Sequence, residues 1–179
     1  MTFDDGPESK QTLKVLSLLE KYEARATFFV VANRLKGHSA LIDEILSRGH
    51  TIGNHSWDHT YKNFFSSFGK LDDWVKKSVE EFSGRGIPTV GFRPPAGVVT
   101  PNLIRSLGQY NLKLYLWNQR YFDTQFVIGS DRAKKSLERY TGGDIVLLHD
   151  RTKRLDQNLD AIETILREGK LRGYAFSNL

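Results

Sequence analysis

Short apolar runs alternate along the whole chain with longer stretches in which apolar residues recur at helical spacing. The apolar runs predict buried strands, and the helical spacing predicts amphipathic helices. A first strand is predicted to end at Asp4 and Asp5, and further strands are predicted over 25–31, 50–54, 89–94, 112–117, 144–149 and 173–179. Helices are predicted over 9–21, 40–49, 71–82, the residues after Thr100, 131–140 and 159–166.

Strand followed by helix, repeated from end to end, is typical of parallel strands with helices packed outside them. No linker, low-complexity segment or sequence repeat interrupts the pattern, so we predict one domain over residues 1–179. A small α/β barrel and an open doubly wound sheet both fit this order of elements. In both architectures, functional residues gather at the carboxyl ends of the strands.

Composition narrows the chemistry that such a domain can carry. The absence of cysteine excludes disulfides, thiolate metal sites and cysteine nucleophiles. The net charge of +5, with short basic clusters at 134–135 and 151–154, indicates a solvated basic face and not a nucleic-acid partner. The sequence predicts no membrane-spanning segment and shows no signal-like start. Because the DDG turn follows Met1 almost at once, we expect part of the first strand, and any export signal, to lie outside this chain.

Polar side chains cluster where five of the predicted strands end. The clusters are Asp4-Asp5, NHSWDH (54–59), RPPAG (93–97), NQRYFDT (118–124) and His149-Asp150. The carboxyl ends of parallel strands meet at one edge of a barrel, so these clusters are expected to face one another.

The spacing of His55 and His59 predicts a metal site. Four residues apart, the two imidazoles lie on one side of a single helical turn, which suits a divalent transition metal with a carboxylate as third ligand. Histidines at this spacing are usually surface residues, but the unexplained aspartate pair at another strand end favours the metal interpretation. Either Asp4 or Asp5 supplies the third ligand, and the other carboxylate is free to act as a base.

Other polar residues at the strand ends have both a functional and a structural interpretation. His149 is either an acid–base group or a core histidine bonded to a backbone carbonyl, and Arg93 is either a site residue or a structural ion-pair former. Asp123 either joins the site or caps the helix that follows it. Trp57 and Asp58 lie between the two histidines, where packing around the metal is the simpler interpretation.

Taken in this order, the clusters resemble the motifs of the polysaccharide deacetylase family, carbohydrate esterases with the NodB homology domain. The resemblance covers essentially the whole chain. TFDDGP (2–7) is similar to the family's first motif, HSWDH (55–59) to its second, RPPAG (93–97) to its third and LLH (147–149) to its fifth. It implies one catalytic domain over 1–179, folded as a distorted (β/α) barrel with fewer than eight parallel strands.

The resemblance also assigns the metal and the base. It implies that Asp5, His55 and His59 hold a divalent metal, most often zinc, with cobalt or nickel as alternatives. Asp4 would be the general base, and Arg93 would hold Asp4 in place and keep it ionised.

The remaining roles follow from the same resemblance. His149 would be the general acid, oriented and tuned by Asp123. Leu147 would wall the pocket for the acetyl methyl group, and the backbone N–H near Ala96 would help to stabilise the oxyanion. Aromatic platforms for bound sugar rings are expected among Trp57, Tyr61, Phe64, Phe65 and Trp117.

Two motifs depart from the family pattern. The fourth motif usually reads Asp-x-x-Asp-Trp, whereas this chain has RYFDT, with Arg120 in place of the first aspartate and Thr124 in place of the tryptophan. Asp123 is kept. The third motif often has tyrosine where this chain has Ala96. These changes remove apolar and aromatic groups from the expected pocket. They therefore affect which substrate is bound more than the type of reaction.

The implied function is metal-dependent hydrolysis of N-acetyl groups on an N-acetylhexosamine polysaccharide, with release of acetate. A chitin-like polymer, peptidoglycan and another exopolysaccharide are all open as substrates. Hydrolysis of another small or cyclic amide on the same fold is the alternative activity, and a catalytically silent carbohydrate-binding domain is the non-enzymatic one. The resemblance places such a protein outside the cell or in the cell envelope.

Overall fold

Five parallel strands form the sheet and six helices pack around it in a computed structural model that describes residues 1–179. The strands are β1 (Thr2–Asp4), β2 (Thr27–Val30), β3 (Thr51–Asn54), β4 (Gln119–Arg120) and β5 (Val146–His149). The helices are α1 (Ser9–Lys21), α2 (Ser39–Ser47), α3 (Phe68–Gly84), α4 (Pro101–Gln109), α5 (Ser130–Ser136) and α6 (Leu155–Leu171). No helix combines the length and the hydrophobicity that a membrane span requires.

The sheet curls toward a closed ring. Its strands are ordered β3-β2-β1-β5-β4, and every neighbouring pair is parallel. Beyond β3 the ladder continues through single bridges, from Asn54 to Phe92 and from Phe92 to Leu114. The chain then runs from Leu114 into β4, which pairs with β5 at the other end of the sheet. The stretch 112–120 therefore contacts both edges, and the predicted distorted barrel with fewer than eight strands is confirmed.

Two of the predicted strands shrink to single bridging residues. Over 89–94 only Phe92 pairs, and beyond Arg93 the Pro94-Pro95 dipeptide has no N–H groups to continue a ladder. Over 112–117 only Leu114 pairs, because its neighbour in the sheet is that shortened segment.

The predicted closing strand over 173–179 is wrong, because this stretch is irregular. The ring of Phe176 packs directly on Gly169 of α6, where a β-carbon would lie 2.5 Å from the ring. The Phe176 carbonyl accepts a hydrogen bond from the backbone N–H of Arg25 at 2.9 Å. The aromatic ring of Phe176, which helped to suggest a strand, therefore packs against the last helix instead.

The outer face of the sheet and the helices share the main hydrophobic core. Alternate strand residues, Phe3, Phe28, Ile52 and Leu148 among them, join a buried cluster of 28 residues. The six predicted helices are confirmed, and α4 begins as expected because Thr100 Oγ1 accepts a hydrogen bond from the Leu103 N–H at 3.2 Å. Burial of this apolar surface is the main contribution to stability.

The inner face of the barrel is polar and leads to the carboxyl ends of the strands. The hydroxyls of Thr27 and Thr51 lie 2.8 Å apart in its lower layer. Above them, the guanidinium of Arg93 lies 3.9 Å over the Phe29 ring. Gly53 makes room for that ring, since a β-carbon there would lie 2.4 Å from it. A charged group is thus held inside the barrel, directly beneath its mouth.

Candidate active site

Two adjacent carboxylates reach one place because the backbone of Asp5 is left-handed. Asp4 ends β1 in register with His149 of β5. Strand alternation would send the next side chain to the opposite face, but Asp5 has φ +76° and turns back. Nε2 of His55 lies 3.7 Å from Asp4 Oδ2 and 3.6 Å from Asp5 Oδ1. Such a backbone costs about 1–3 kcal/mol, which the surrounding structure must offset.

His55 and His59 come together through an irregular loop, so the predicted helical turn is wrong. Asn54 Oδ1 accepts a hydrogen bond from the Ser56 N–H at 2.9 Å, and Ser56 Oγ accepts one from the His59 N–H at 3.1 Å. Ser56 and His59 have φ of +74° and +64°. These local bonds replace helical ones and still bring the two imidazole centroids to 5.1 Å.

Asp5, His55 and His59 fit a divalent cation. One ligand atom of each lies within 4.8 Å of the others. His55 Nδ1 is hydrogen-bonded to the Arg93 carbonyl at 2.8 Å, which leaves Nε2 facing the cluster. Asp5 Oδ1 is buried 3.1 Å from His59 Nε2 but has no well-aligned hydrogen-bond donor. Two imidazole nitrogens and a carboxylate oxygen suit zinc and its neighbours in the first transition row.

The protonation states of this cluster also suit metal binding. Burial raises the pKa of the Asp5 carboxyl, but contact with His59 and the positive charge of His149 help to reverse this, and the pKa lies below its usual range. Burial lowers the pKa of His55, which favours the neutral imidazole. An ionised carboxylate and a neutral imidazole are the forms that ligate metals.

Arg93 fixes the other carboxylate from inside the barrel. Its side chain is fully buried, and its Nη1 donates to Asp4 Oδ1 at 2.8 Å and to Thr2 Oγ1 at 2.7 Å. Its Nη2 donates to the Leu116 carbonyl at 3.1 Å. A buried guanidinium needs a charged partner, and here that partner is the carboxylate at the end of β1.

His149 and Asp123 form a second buried pair across the mouth. His149 Nδ1 and its backbone N–H each lie 2.8 Å from an oxygen of the Asp123 carboxylate. Burial opposes the charged imidazole, but the hydrogen bond and charge of Asp123, with the charges of Asp4 and Asp5, raise the pKa of His149 to about 9. Asn158 of α6, which sequence reasoning missed, donates to the Asp123 carbonyl at 2.9 Å. Both carboxylate oxygens of Asp123 are thus hydrogen-bonded to His149.

The three predicted substrate contacts differ in their surroundings. Leu147 is buried in β5 and lies on the same strand face as His149, two residues on. Ala96 is exposed, with φ +54° in the short turn Pro95–Gly97. Trp57 is half-buried between the main hydrophobic core and a second buried cluster that contains Phe64 and Phe92. The Lys77 ammonium lies 4.0 Å from the centre of its ring.

Asp150, which the sequence placed in a strand-end cluster without a role, is a buried acid. Asp150 Oδ2 accepts a hydrogen bond from Thr12 Oγ1 at 2.5 Å, and Thr12 Oγ1 accepts one from the Glu8 N–H at 3.0 Å. The carboxylate packs on Gly6, where a β-carbon would lie 2.5 Å from Oδ2. Burial, with the charge of Asp5, raises the pKa of Asp150 to about 7. This contact braces the turn that follows the two aspartates, and position beside His149 was its only sequence signal.

Aromatic residues near the mouth divide into core and surface groups. Phe64 is buried and packs edge-on to Trp74 with centroids 5.3 Å apart, so it is not available as a sugar platform. Phe65 is 78% exposed. Tyr61 is 49% exposed and lies edge-on to the ring of His59, with centroids 5.1 Å apart. Tyr61 is therefore an exposed aromatic ring in direct contact with a residue of the Asp5, His55 and His59 cluster.

Comparison with known proteins places the chain among polysaccharide deacetylases. The family model for polysaccharide deacetylase matches residues 1–115. A peptidoglycan-N-acetylglucosamine deacetylase of Bacillus cereus is 34% identical over 178 residues, covering 98% of this chain and 83% of that protein. The peptidoglycan-N-acetylglucosamine deacetylase PgdA of Listeria monocytogenes is 33% identical over 176 residues, covering 98% of this chain and 36% of that longer protein.

A solved structure extends the likeness to the fold. The family 4 acetyl xylan esterase of Clostridium thermocellum, in complex with a cobalt ion, superposes with a TM-score of 0.86 at 28% identity and covers 99% of this chain and 85% of that one. The chain belongs to the polysaccharide deacetylase family.

Proposed function

We propose that residues 1–179 are the catalytic domain of a metal-dependent hydrolase that removes N-acetyl groups from an N-acetylhexosamine polysaccharide and releases acetate. The observation that carries this proposal is that two adjacent carboxylates contact the same imidazole. Asp4 Oδ2 lies 3.7 Å and Asp5 Oδ1 lies 3.6 Å from His55 Nε2. One carboxylate is then available for a cation and the other for a proton. The names of the two bacterial relatives favour peptidoglycan as the polymer.

Asp5, His55 and His59 would hold the cation, and we propose zinc. Its support is the donor set and the buried Asp5 oxygen that lacks a hydrogen-bond donor. When bound, such an ion supplies Lewis acidity, polarising a carbonyl and lowering the pKa of coordinated water to about 7.

Asp4 would be the general base. Arg93 holds its Oδ1 at 2.8 Å, which leaves Oδ2 on the side of the ligand cluster, 3.7 Å from His55 Nε2. From there Oδ2 accepts the proton of the water that attacks the acetamide carbon. The ion pair with Arg93 fixes the orientation of the carboxylate before substrate arrives.

His149 would be the general acid. Its Nδ1 is taken by Asp123 at 2.8 Å, so Nε2 is the nitrogen that gives a proton to the leaving amine. A pKa of about 9 keeps this imidazole charged at neutral pH. Well-placed acid and base groups each contribute roughly 10²–10⁴-fold to the rate.

Three residues would shape the acyl pocket. Leu147 would wall the space for the acetyl methyl group, and the backbone N–H at Ala96 would add a donor to the developing oxyanion. Such a donor is worth about 3–4 kcal/mol in the transition state. Trp57 would border the bound sugar.

Asp123→Asn is expected to move the alkaline limb of the pH–rate profile to lower pH. The proposed acid works only while protonated, so activity falls as pH rises through the His149 pKa. Removing the Asp123 charge leaves burial to lower that pKa, while Asp4 and Asp5 still raise it. The measurement is kcat against pH for metal-loaded protein. An alkaline limb at the wild-type pH would show that Asp123 does not tune the acid.

The function itself is tested by acetate release from N-acetylated oligosaccharides, with and without a chelator. We expect release from peptidoglycan or chitin fragments, loss of at least 100-fold after chelation, and recovery when zinc is restored. Bound metal with no acetate from any sugar would point to another amide substrate. Sugar binding with neither metal nor turnover would point to a silent carbohydrate-binding domain.

A further inference from the structure

Arg120, at the end of β4, presents an unpaired charge at the mouth of the barrel. It is in register with Leu147 of β5, and Leu147 lies on the same strand face as His149. The side chain is exposed. No carboxylate lies within ion-pair distance of its guanidinium, unlike the buried Arg93, which is paired with Asp4.

Two aromatic rings hold this guanidinium in place. It lies 4.4 Å from the centre of the Phe122 ring and 5.6 Å from that of Trp117. The guanidinium of Arg93 lies 5.7 Å from the same Trp117 ring. The indole of Trp117 therefore lies between Arg120 and Arg93, which forms the ion pair with Asp4.

The sheet register places Arg120 at the same end of the barrel as the aspartate pair. Arg120 is in register with Leu147, which lies two residues before His149 in β5. His149 is in register with Asp4. Because paired residues of neighbouring parallel strands lie on the same face of the sheet, Arg120 and the residues around Asp4 border the same cleft.

A second arginine lies beside the aspartate pair without a carboxylate partner. Arg34 is half-buried, and its Nη1 donates to the backbone carbonyl of Asp5. Like Arg120, it forms no ion pair with a carboxylate. Unpaired cations at this end of the barrel favour an anionic ligand.

We propose that Arg120 binds a carboxylate on the sugar whose acetamide lies at Asp5, His55 and His59, so that acidic N-acetylhexosamine glycans are preferred over neutral ones. The inference rests on the proposed function. A planar guanidinium with free N–H groups matches a carboxylate through two parallel hydrogen bonds, and stacking limits the freedom it loses on binding. On a hexosamine, the ring position next to the acetamide carries such a group in N-acetylmuramic acid.

The test compares three substrates for metal-loaded wild type and Arg120→Gln. They are an N-acetylglucosamine oligosaccharide, a glycan containing N-acetylmuramic acid, and the same glycan with its carboxylates converted to methyl amides. For the acidic glycan we expect kcat/KM to fall about 10- to 100-fold, mainly through KM, the loss typical of a charge-assisted hydrogen bond. This loss of kcat/KM in Arg120→Gln should be at least ten times larger than its loss on either of the two neutral substrates. Arg120→Lys, which keeps the charge without the planar fork, should lie between.

Arg105→Gln is the matched control. Its guanidinium also stacks on an aromatic ring, 4.2 Å from the centre of Phe68, but it belongs to α4 and has no place at the mouth. This variant loses the same charge and the same kind of stacking, so it should not change the preference between acidic and neutral glycans.

Equal losses on all three substrates would give Arg120 a structural role only and overturn the proposal. A wild type that does not prefer the acidic glycan to its amide would also overturn it. If no substrate releases acetate, the proposed function is wrong. The carboxylate site is then tested separately, by measuring how tightly the acidic glycan and its amide bind in calorimetry. Arg120→Gln binding the acidic glycan as tightly as wild type would overturn the carboxylate site.

Discussion

Asp4→Asn is expected to retain bound metal and to lose about 10²–10⁴-fold in kcat, the contribution of a well-placed base. Asparagine has the same shape as aspartate, and its side-chain oxygen can still accept the hydrogen bond that Arg93 Nη1 gives at 2.8 Å. It cannot accept a proton from attacking water. The measurements are kcat for acetate release, metal per chain by mass spectrometry, and melting temperature.

Asp5→Asn is the matched comparison, because it makes the same chemical change one residue away. Asp5 carries the buried oxygen without a hydrogen-bond donor, so its variant should lose metal as well as turnover. The expected contrast is full metal and little activity at position 4, against little metal at position 5. Turnover within tenfold of wild type in Asp4→Asn would reject Asp4 as the base. Loss of metal there would make it a ligand.

The sequence predicted the strand–helix order well because each element has its own local pattern. The failures have physical causes at particular residues. The Pro94-Pro95 pair removes backbone donors after Arg93, so the pairing at Phe92 cannot extend beyond it. Phe176 belongs to a β-like stretch, but its ring packs on Gly169 of α6, a contact that no local pattern reveals.

The candidate site was predictable as a set of strand ends, but not in its internal assignments. Residues alone left open which aspartate would face a cation, because the answer depends on the left-handed backbone of Asp5 and on the reach of Arg93 to Asp4. The bracing contact from Thr12 to Asp150 joins residues 138 positions apart. Contacts of that length are set by tertiary packing, so spacing along the chain does not encode them.

His55→Ala is expected to weaken zinc affinity by more than about 100-fold. Loss of an outer partner of a metal ligand typically costs 10–100-fold in affinity, and loss of a ligand itself should exceed that range. The measurement is a zinc titration against a competing chelator, with melting temperature followed in parallel. A ligand present at 100 times its Kd stabilises the folded state by about 2.7 kcal/mol, so zinc should raise the wild-type melting temperature and leave that of His55→Ala nearly unchanged.

His50→Ala separates ligation from packing. His50 is 4% exposed and His55 is 2% exposed, and they flank the two ends of β3, so both substitutions remove a buried imidazole beside the same strand. The ring of His50 accepts a hydrogen bond from the Ala26 N–H at 3.2 Å, far from the aspartate pair along that strand. Both variants should lose intrinsic stability, but His50→Ala should keep the full zinc-induced rise. If His55→Ala also keeps that rise, the cation binds elsewhere and the proposed ligand set is wrong. If both lose it, the response to zinc reflects the packing of β3, because only one of the two histidines faces the carboxylates.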